Sequence, residues 1–201
     1  MKIVLASGNQ HKLEELSAAL PDSIDLVSQG DLGIEGAEET GLTFVENAIL
    51  KARHATMRSG LPAIADDSGL EVDFLNGSPG IYSSRYAGND ASDNDNNSKL
   101  LTALQGVPEA DRTARFRCII VYMRHAFDPM PLIVSGTWEG VILDVLKGNN
   151  GFGYDPLFYL PELKKSAAEL EDFEKNRISH RGQALSQLVQ DVFEITQNNQ
   201  C

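Results

Sequence analysis

The stretch LPAIADDSGLEV, Leu61 to Val72, decides how the rest of the chain reads. Pro62 opens it, and Ala63, Ile64 and Ala65 form an apolar run too uniform to face water, which predicts a buried strand. The run ends abruptly in two adjacent acids, Asp66 and Asp67. Ser68 and Gly69 follow, which predicts that the strand stops at the acids and the backbone turns away. Just upstream, LTFVENAILKARHATMRSG predicts a helix: Thr43 and Glu46 form a T-x-x-E capping box, and Val45, Ala48, Ile49, Ala52 and Ala55 share one face. Gly60 closes that helix and Pro62 prevents its continuation.

Outward from this helix and strand, KIVLA at the N-terminus reads as a second buried strand, ended by Ser7-Gly8-Asn9. A helix follows, with Asn9 as its cap and Leu13, Leu16 and Leu20 on one stripe. EVDFLNGSPG reads as strand and turn, with Asn76-Gly77 the turn signal. GNDASDNDNNS reads as a polar loop leading to a helix around Lys99 to Leu104. TARFRCIIVYMRH and PLIVSGTWEGVIL read as two long antiparallel strands joined near Asp128 to Pro131. GNNGFGYDPLF is a glycine-rich connection, and SHRGQALSQLVQDVFEIT is a helix with Leu185, Leu188, Val189, Val192 and Phe193 on one face. Helices and strands mix without strict alternation, so the class is α/β with a mixed sheet, one domain over residues 1–201.

Composition narrows the function classes. A hydrophobic content of 42% with 23% charged residues supports a real core. The formal charge of −12, from 29 acids against 17 bases, would repel a long phosphate backbone, and no basic run offsets it. Nucleic acid is therefore a poor partner, whereas a small polyphosphate carrying its own magnesium is compatible. The N-terminal apolar run is too short for a signal peptide or a membrane span. Cys118 and Cys201 are the only cysteines and lack metal-ligand spacing, so a reducing cytoplasm is the expected location.

Several segments bring together groups able to do chemistry. Ser7, Gly8, Asn9, Gln10, His11 and Lys12 join a strand to a helix N-terminus, where free N–H groups and the helix dipole favour an anion. The same residues also read as a capping turn with a solvated lysine. Glu38 and Glu39 lie in a glycine-flanked turn, and Asp66 and Asp67 end the apolar strand. One acid from each segment would suffice for a magnesium ion that keeps its waters. Neighbours on a strand point to opposite faces, so only one of the two aspartates should serve the metal. Locally, both acids equally read as caps of the turn into Ser68. Lys51 sits away from the apolar stripe of its helix, where most lysines are simply solvated. Phe152, Gly153, Tyr154 and Asp155 suit either a stacked planar ring or a structural turn. Lys175, Ser179, His180 and Arg181 place donors at the start of the last helix, suited to a base carbonyl or a phosphate.

LASGNQHKLEEL, AEETGLTFVENAILKA, AIADDSGLEVDFLNGSPGIYSSRYAG, GFGYDPLF and ISHRGQAL, in this order, closely resemble the inosine/xanthosine triphosphate pyrophosphatase family. The likeness runs from about Lys2 to Leu188, and five motifs in register are highly specific. The resemblance implies an elongated α/β body of two lobes around a long mixed sheet, the Maf/ITPase-type architecture, usually a homodimer. It implies a Mg2+-dependent hydrolase that converts dITP, ITP and XTP to the monophosphate and pyrophosphate. Ser7 to Lys12 would hold the triphosphate, with Lys51 near the phosphates and Ser68 touching substrate. Glu38 and Asp67 would be the magnesium ligands, Asp67 also the proton acceptor. Phe152, Gly153, Tyr154, Asp155, Lys175, His180 and Arg181 would form the base pocket. This chain departs from the family pattern at Asn149 and Asn150, where a more glycine-rich run is expected, and at Asn97, where a helix residue would often be apolar. Arg85 lies in a matched motif and reads as structural. Two rivals remain: a pyrophosphatase for modified pyrimidine nucleotides, opposed by ISHRG, and a non-catalytic nucleotide-binding regulator, opposed by the presence of both Glu38 and Asp67.

Overall fold

Ile3, Val4 and Leu5 have no exposed surface, and this follows from the position of their strand, β1 (Lys2–Leu5), inside the sheet. The computed structural model describes residues 1–21 and 23–198, with side chains through Val192. Cys201 and the side chain of Phe193 lie outside the described residues. The helices are α1 (Gln10–Ala19), α2 (Phe44–Ser59), α3 (Asp93–Ala103), α4 (Asp172–Ile178) and α5 (His180–Asn198). The other strands are β2 (Asp25–Ser28), β3 (Ala63–Val72), β4 (Thr113–Met123), β5 (Leu132–Ile142), β6 (Phe158–Leu160) and β7 (Lys165–Ser166).

The seven strands form one sheet in the order β2-β1-β3-β4-β5-β6-β7. β1 is parallel to β2 and β3, as it must be when α1 and α2 carry the chain back between them. β5, β6 and β7 pair antiparallel, so the sheet is mixed as the sequence predicts.

The chain divides into two compact units. The first contains residues 1–67, 118–136 and the chain from Arg181 on. Its two cores lie on opposite faces of the sheet and show strict alternation. Ile3, Leu5, Ile64, Cys118 and Ile120 pack with Leu16 of α1 and Leu185 and Leu188 of α5. Val4, Ala6, Ala63, Ala65, Val121 and Met123 pack with Ala48, Ala52 and Ala55 of α2, where alanine on both sides allows close approach. The second unit, residues 68–117 and 137–180, is built on Leu70, Leu100, Leu104, Phe116, Trp138, Tyr154, Leu157 and Phe158.

Three element boundaries differ from expectation. β3 does not stop at the acids but continues through Ser68 and Gly69 to Val72. α3 starts at Asp93, inside the Asn/Asp-rich segment, because Ser92 and Asp95 form a reciprocal capping box. Lys175 belongs to the separate helix α4, which Ser179 ends with an extended backbone (φ −67°, ψ 162°) before α5 begins. The α2 cap is at Thr43 as expected: Thr43 Oγ1 accepts from the Glu46 N–H at 3.3 Å and donates to the Glu46 carboxylate at 2.8 Å, which also accepts from the Leu42 N–H at 2.9 Å.

Candidate active site

The alternation that builds the first unit's cores also separates the two aspartates. Asp66 shares the face of Ile64, toward α1 and α5, and Asp67 the face of Ala65, toward α2. Asp66 is 1% exposed. Lys12 of α1 pairs with its Oδ1, and the Arg181 Nε of α5 donates to its Oδ2 at 3.2 Å. Arg181 is itself buried and donates from Nη1 to Glu15 Oε2 at 2.5 Å. Burial pushes the Asp66 carboxyl up, but the charges of Lys12, Arg181 and Lys51 outweigh it and hold the group far below the ordinary carboxylate range.

Asp67 meets a different environment. Lys51 of α2 donates to Asp67 Oδ1 at 2.7 Å and to Glu39 Oε1 at 3.0 Å. Burial pushes the Asp67 carboxyl up, Lys51 offsets part of that, and the like charge of Glu39 adds to the rise, so the net shift is upward. The Lys51 ammonium is disfavoured by burial but faces Asp67, Asp66 and Glu39 together, which hold its pKa above the ordinary value. The asymmetry is physical: Asp66 pairs with two cations, whereas Asp67 shares one ammonium with Glu39.

Glu39, rather than Glu38, is the acid of its turn that joins this cluster; Glu38 is exposed. The turn is held by Asn47, fully buried on α2, whose Oδ1 accepts from the Gly41 N–H at 2.8 Å. A Cβ on Gly41 would lie 2.6 Å from the Glu46 Cβ, so glycine is required for that close approach. The sequence offers Glu38 and Glu39 together and the family resemblance selects Glu38; Asn47 carries no local signal that marks it. Among the described residues, no three His, Cys, Asp or Glu side chains converge as a closed metal-ligand set.

The junction from Ser7 to Lys12 is mostly exposed. Asn9 caps α1 by accepting from the N–H groups of His11 (2.9 Å) and Lys12 (3.3 Å), while Ser7 Oγ accepts from the Asn9 N–H at 3.1 Å. Gly8 has no neighbour within 4 Å of a built Cβ, and Gln10 donates to Glu14. The anion-site geometry of a strand, small turn and helix N-terminus is thus present, with two of its N–H groups engaged by the cap.

The second unit holds the aromatic cluster. Asp155 is buried, and its Oδ2 accepts from Lys175 Nζ at 2.5 Å and from the Phe152 N–H at 2.9 Å. Gly151 makes this possible: a Cβ there would stand 2.1 Å from that oxygen, and its φ is +72°. Lys175 Nζ lies 4.8 Å from the Phe152 ring centroid, a cation–π contact. Tyr154 is a core residue whose hydroxyl donates to the Ser83 carbonyl at 2.8 Å, and burial pushes its pKa up. The His180 ring stacks on Phe116 at 4.8 Å with 11° between planes, and Trp138 lies 6.4 Å away at 22°. Asp155 and Lys175, expected as donors and acceptors for a base, are thus each other's partners. His180 and Arg181, consecutive in sequence, take different partners: aromatic rings for His180, Asp66 and Glu15 for Arg181. Ser68 is half-buried within β3. Arg85 lies over the Tyr82 ring at 5.3 Å.

Among the described residues, no helix is long and apolar enough to cross a membrane. Residues 3–191 match the model of the Ham1 family. A dITP/XTP pyrophosphatase of Yersinia pseudotuberculosis is 62% identical over 94% of this chain and 96% of its own length. One of Vibrio cholerae is 57% identical over 96% of this chain and 97% of its own. Among solved structures, a HAM1 protein from Coxiella burnetii superposes with a TM-score of 0.91 at 52% identity, covering 96% of this chain and 99% of that one. On identity, coverage and fold together, the chain belongs to the Ham1 family.

Proposed function

We propose that this protein is a nucleoside triphosphate pyrophosphatase that hydrolyses the non-standard purine nucleotides dITP, ITP and XTP or dXTP to the monophosphate and pyrophosphate. The observation that carries the reading is the split of the adjacent acids between two ion-pair clusters, Asp66 with Lys12 and Arg181, and Asp67 with Lys51 and Glu39. The names of relatives at 57–62% identity over nearly the whole chain support the reaction class.

In this reading the triphosphate is held by the Ser7–Lys12 junction, with Lys12 and Lys51 neutralising its oxygens and Ser68 contacting substrate. A water attacks the α-phosphorus in line. Asp67 Oδ accepts its proton, the bond from the α-phosphorus to the bridging oxygen breaks, and the electron pair leaves with pyrophosphate. A carboxyl whose pKa is raised is a better base than an ordinary one, which suits Asp67 to that step. The donor set fits a magnesium ion: two carboxylates from separate segments, Asp67 and Glu39, already converge on one cation, the Lys51 ammonium. Magnesium needs only one or two carboxylates beside waters and phosphates. Asp67 with Glu38 or Glu39 would hold it, and it would supply charge stabilisation to the departing pyrophosphate.

Phe152, Gly153, Tyr154 and Asp155 form the base loop, with Lys175 of α4 beside it and His180 and Arg181 as donors toward the 6-keto group of hypoxanthine and xanthine. Asp66 and Glu15 orient the Arg181 guanidinium. Such donors disfavour adenine, and sites built on hydrogen bonds to substrate discriminate by ~10⁴-fold. The protein works as one catalytic domain, as a homodimer, in the cytoplasm. Pyrophosphate release with Mg2+ from dITP, XTP, dATP, dGTP and dTTP tests the proposal. Rapid release from the first two and slow release from the others is expected. Equal rates on all five would remove the selectivity, and no release from any would make the protein a nucleotide-binding module.

A further inference from the structure

α3 carries an amide where packing would favour an apolar side chain. Asn97 is 3% exposed on a helix whose buried residues include Leu100, yet among the described residues its Oδ1 finds no donor. A buried, half-satisfied amide costs about 1–3 kcal/mol, so stability alone does not explain the residue. Its Nδ2 donates to the Gly153 carbonyl at 2.9 Å. One turn earlier, the Asp93 Oδ2 accepts from the Gly153 N–H at 2.7 Å. Spacing of i and i+4 puts both side chains on one face of α3, and together they grip both polar groups of a single residue. Asp93 is not needed for the helix cap, which Ser92 and Asp95 complete. Gly153 lends itself to the grip: its φ is +64°, and nothing lies within 4 Å of a built Cβ.

The consequence falls on Phe152. The Phe152 N–H is bound by Asp155 and the next N–H, that of Gly153, by Asp93. Two carboxylates, Asp155 within the same turn and Asp93 on α3, thus fix the amides on either side of the Phe152 Cα, and Asn97 secures the Gly153 carbonyl. We propose that Asp93 and Asn97 are specificity-determining positioning residues that hold the Phe152 ring for a purine base. This rests on the reading of residues 152–155 as the base loop. Neither residue acts on the phosphates or the attacking water, so their loss acts on base binding rather than on the chemical step.

Steady-state pyrophosphate release from dITP and dATP by Asn97→Leu, Asp93→Ala, Asp93→Asn and Phe152→Ala tests the clamp, with thermal melting of each variant. Asn97→Leu restores an apolar helix residue, so its melting temperature holds or rises. Its KM for dITP rises about 3- to 10-fold with kcat within about twofold, the loss of one hydrogen bond's net worth. Asp93→Ala behaves alike in KM, and Asp93→Asn, which keeps an acceptor for the Gly153 N–H, stays within about twofold of the parent. An unchanged KM in Asn97→Leu and Asp93→Ala, alongside a raised KM in Phe152→Ala, would overturn the clamp alone. An unchanged KM in Phe152→Ala would overturn the base loop and the clamp together. A fall in kcat at constant KM in the clamp variants would overturn their assignment to base positioning.

Discussion

Replacing each of the adjacent aspartates by asparagine is expected to have opposite consequences for stability and catalysis. Asp66→Asn removes the carboxylate that pairs with both the Lys12 ammonium and the buried Arg181 guanidinium, leaving Arg181 with Glu15. Removing one partner from a buried ion pair costs about 3–5 kcal/mol. For a chain of this length each kcal/mol moves the melting temperature by about 2–4 °C, so a fall of about 6–20 °C is expected. Asp67→Asn removes a charge that burial already disfavours, and Lys51 keeps Glu39. Its melting temperature in EDTA should stay within about 2–4 °C of the parent, a change of no more than about 1 kcal/mol. Turnover behaves the other way: Asp67→Asn should lose ~10²–10⁴-fold, the usual worth of a positioned general base.

The pH dependence follows the same signs. Asp66 has a depressed folded pKa, so its contribution is fully present above its unfolded pKa and is lost only as pH falls through the folded value. Asp67 has a raised folded pKa, so any stability it contributes is present below its unfolded pKa and lost as pH rises through the folded one. Thermal melts of both variants from pH 4 to 8 in EDTA, with dITP turnover measured beside them, make the comparison. Equal loss of stability by the two variants would refute the electrostatic reasoning, and near-normal turnover by Asp67→Asn would remove it as proton acceptor.

Two further outcomes follow from the second unit. Asp73, bound by the side chains of Arg115 and Thr113, should titrate at about 2 rather than the ordinary 3.8. Its contribution to stability is then present above about 3.8 and fades as pH falls toward about 2, and a carboxyl NMR titration of Arg115→Gln should return the midpoint toward the ordinary value. Gly151→Ala should destabilise more than Gly153→Ala. Both require a left-handed backbone, costing about 1–2 kcal/mol, but only at Gly151 does the new Cβ meet the Asp155 carboxylate, 2.1 Å away. Equal melting temperatures for the two would show that the Asp155–Lys175 pair shifts without cost.

What the sequence made legible was local. The α2 cap, its alanine face, the Gly60 stop and the Asn9 cap all rest on residues within a few positions of one another, and each stands as read. The errors arose where partners are remote. Sequence alone ends β3 at Asp66 and Asp67, with Ser68 and Gly69 turning the backbone away, and nothing near the two acids compensates their burial. The compensation comes from Lys12, 54 positions upstream, and Arg181, 115 positions downstream. Once those cations are in place, the strand runs on to Val72. The Asn/Asp segment misled for the reverse reason: poor interior helix formers outweighed a Ser92-x-x-Asp95 box that was there to be read.

The same contrast explains which site residues the sequence could separate. Period-two alternation is local, so the placement of Asp66 and Asp67 on opposite faces was available from the strand alone. Which face holds two cations and which holds one ammonium and a second acid depends on α1, α5 and α2, and no spacing within the motif encodes it. Glu39 against Glu38 is the same problem without the help of a regular element. The turn has no period, and it is tied down from outside by Asn47, whose Oδ1 accepts from the Gly41 N–H two residues on. An acid on a strand inherits its direction from the strand, whereas an acid in a turn takes its direction from whichever buried group ties the turn down. Disturbing Asn47 should therefore move Glu38 and Glu39 together while leaving Asp66 and Asp67 where β3 holds them.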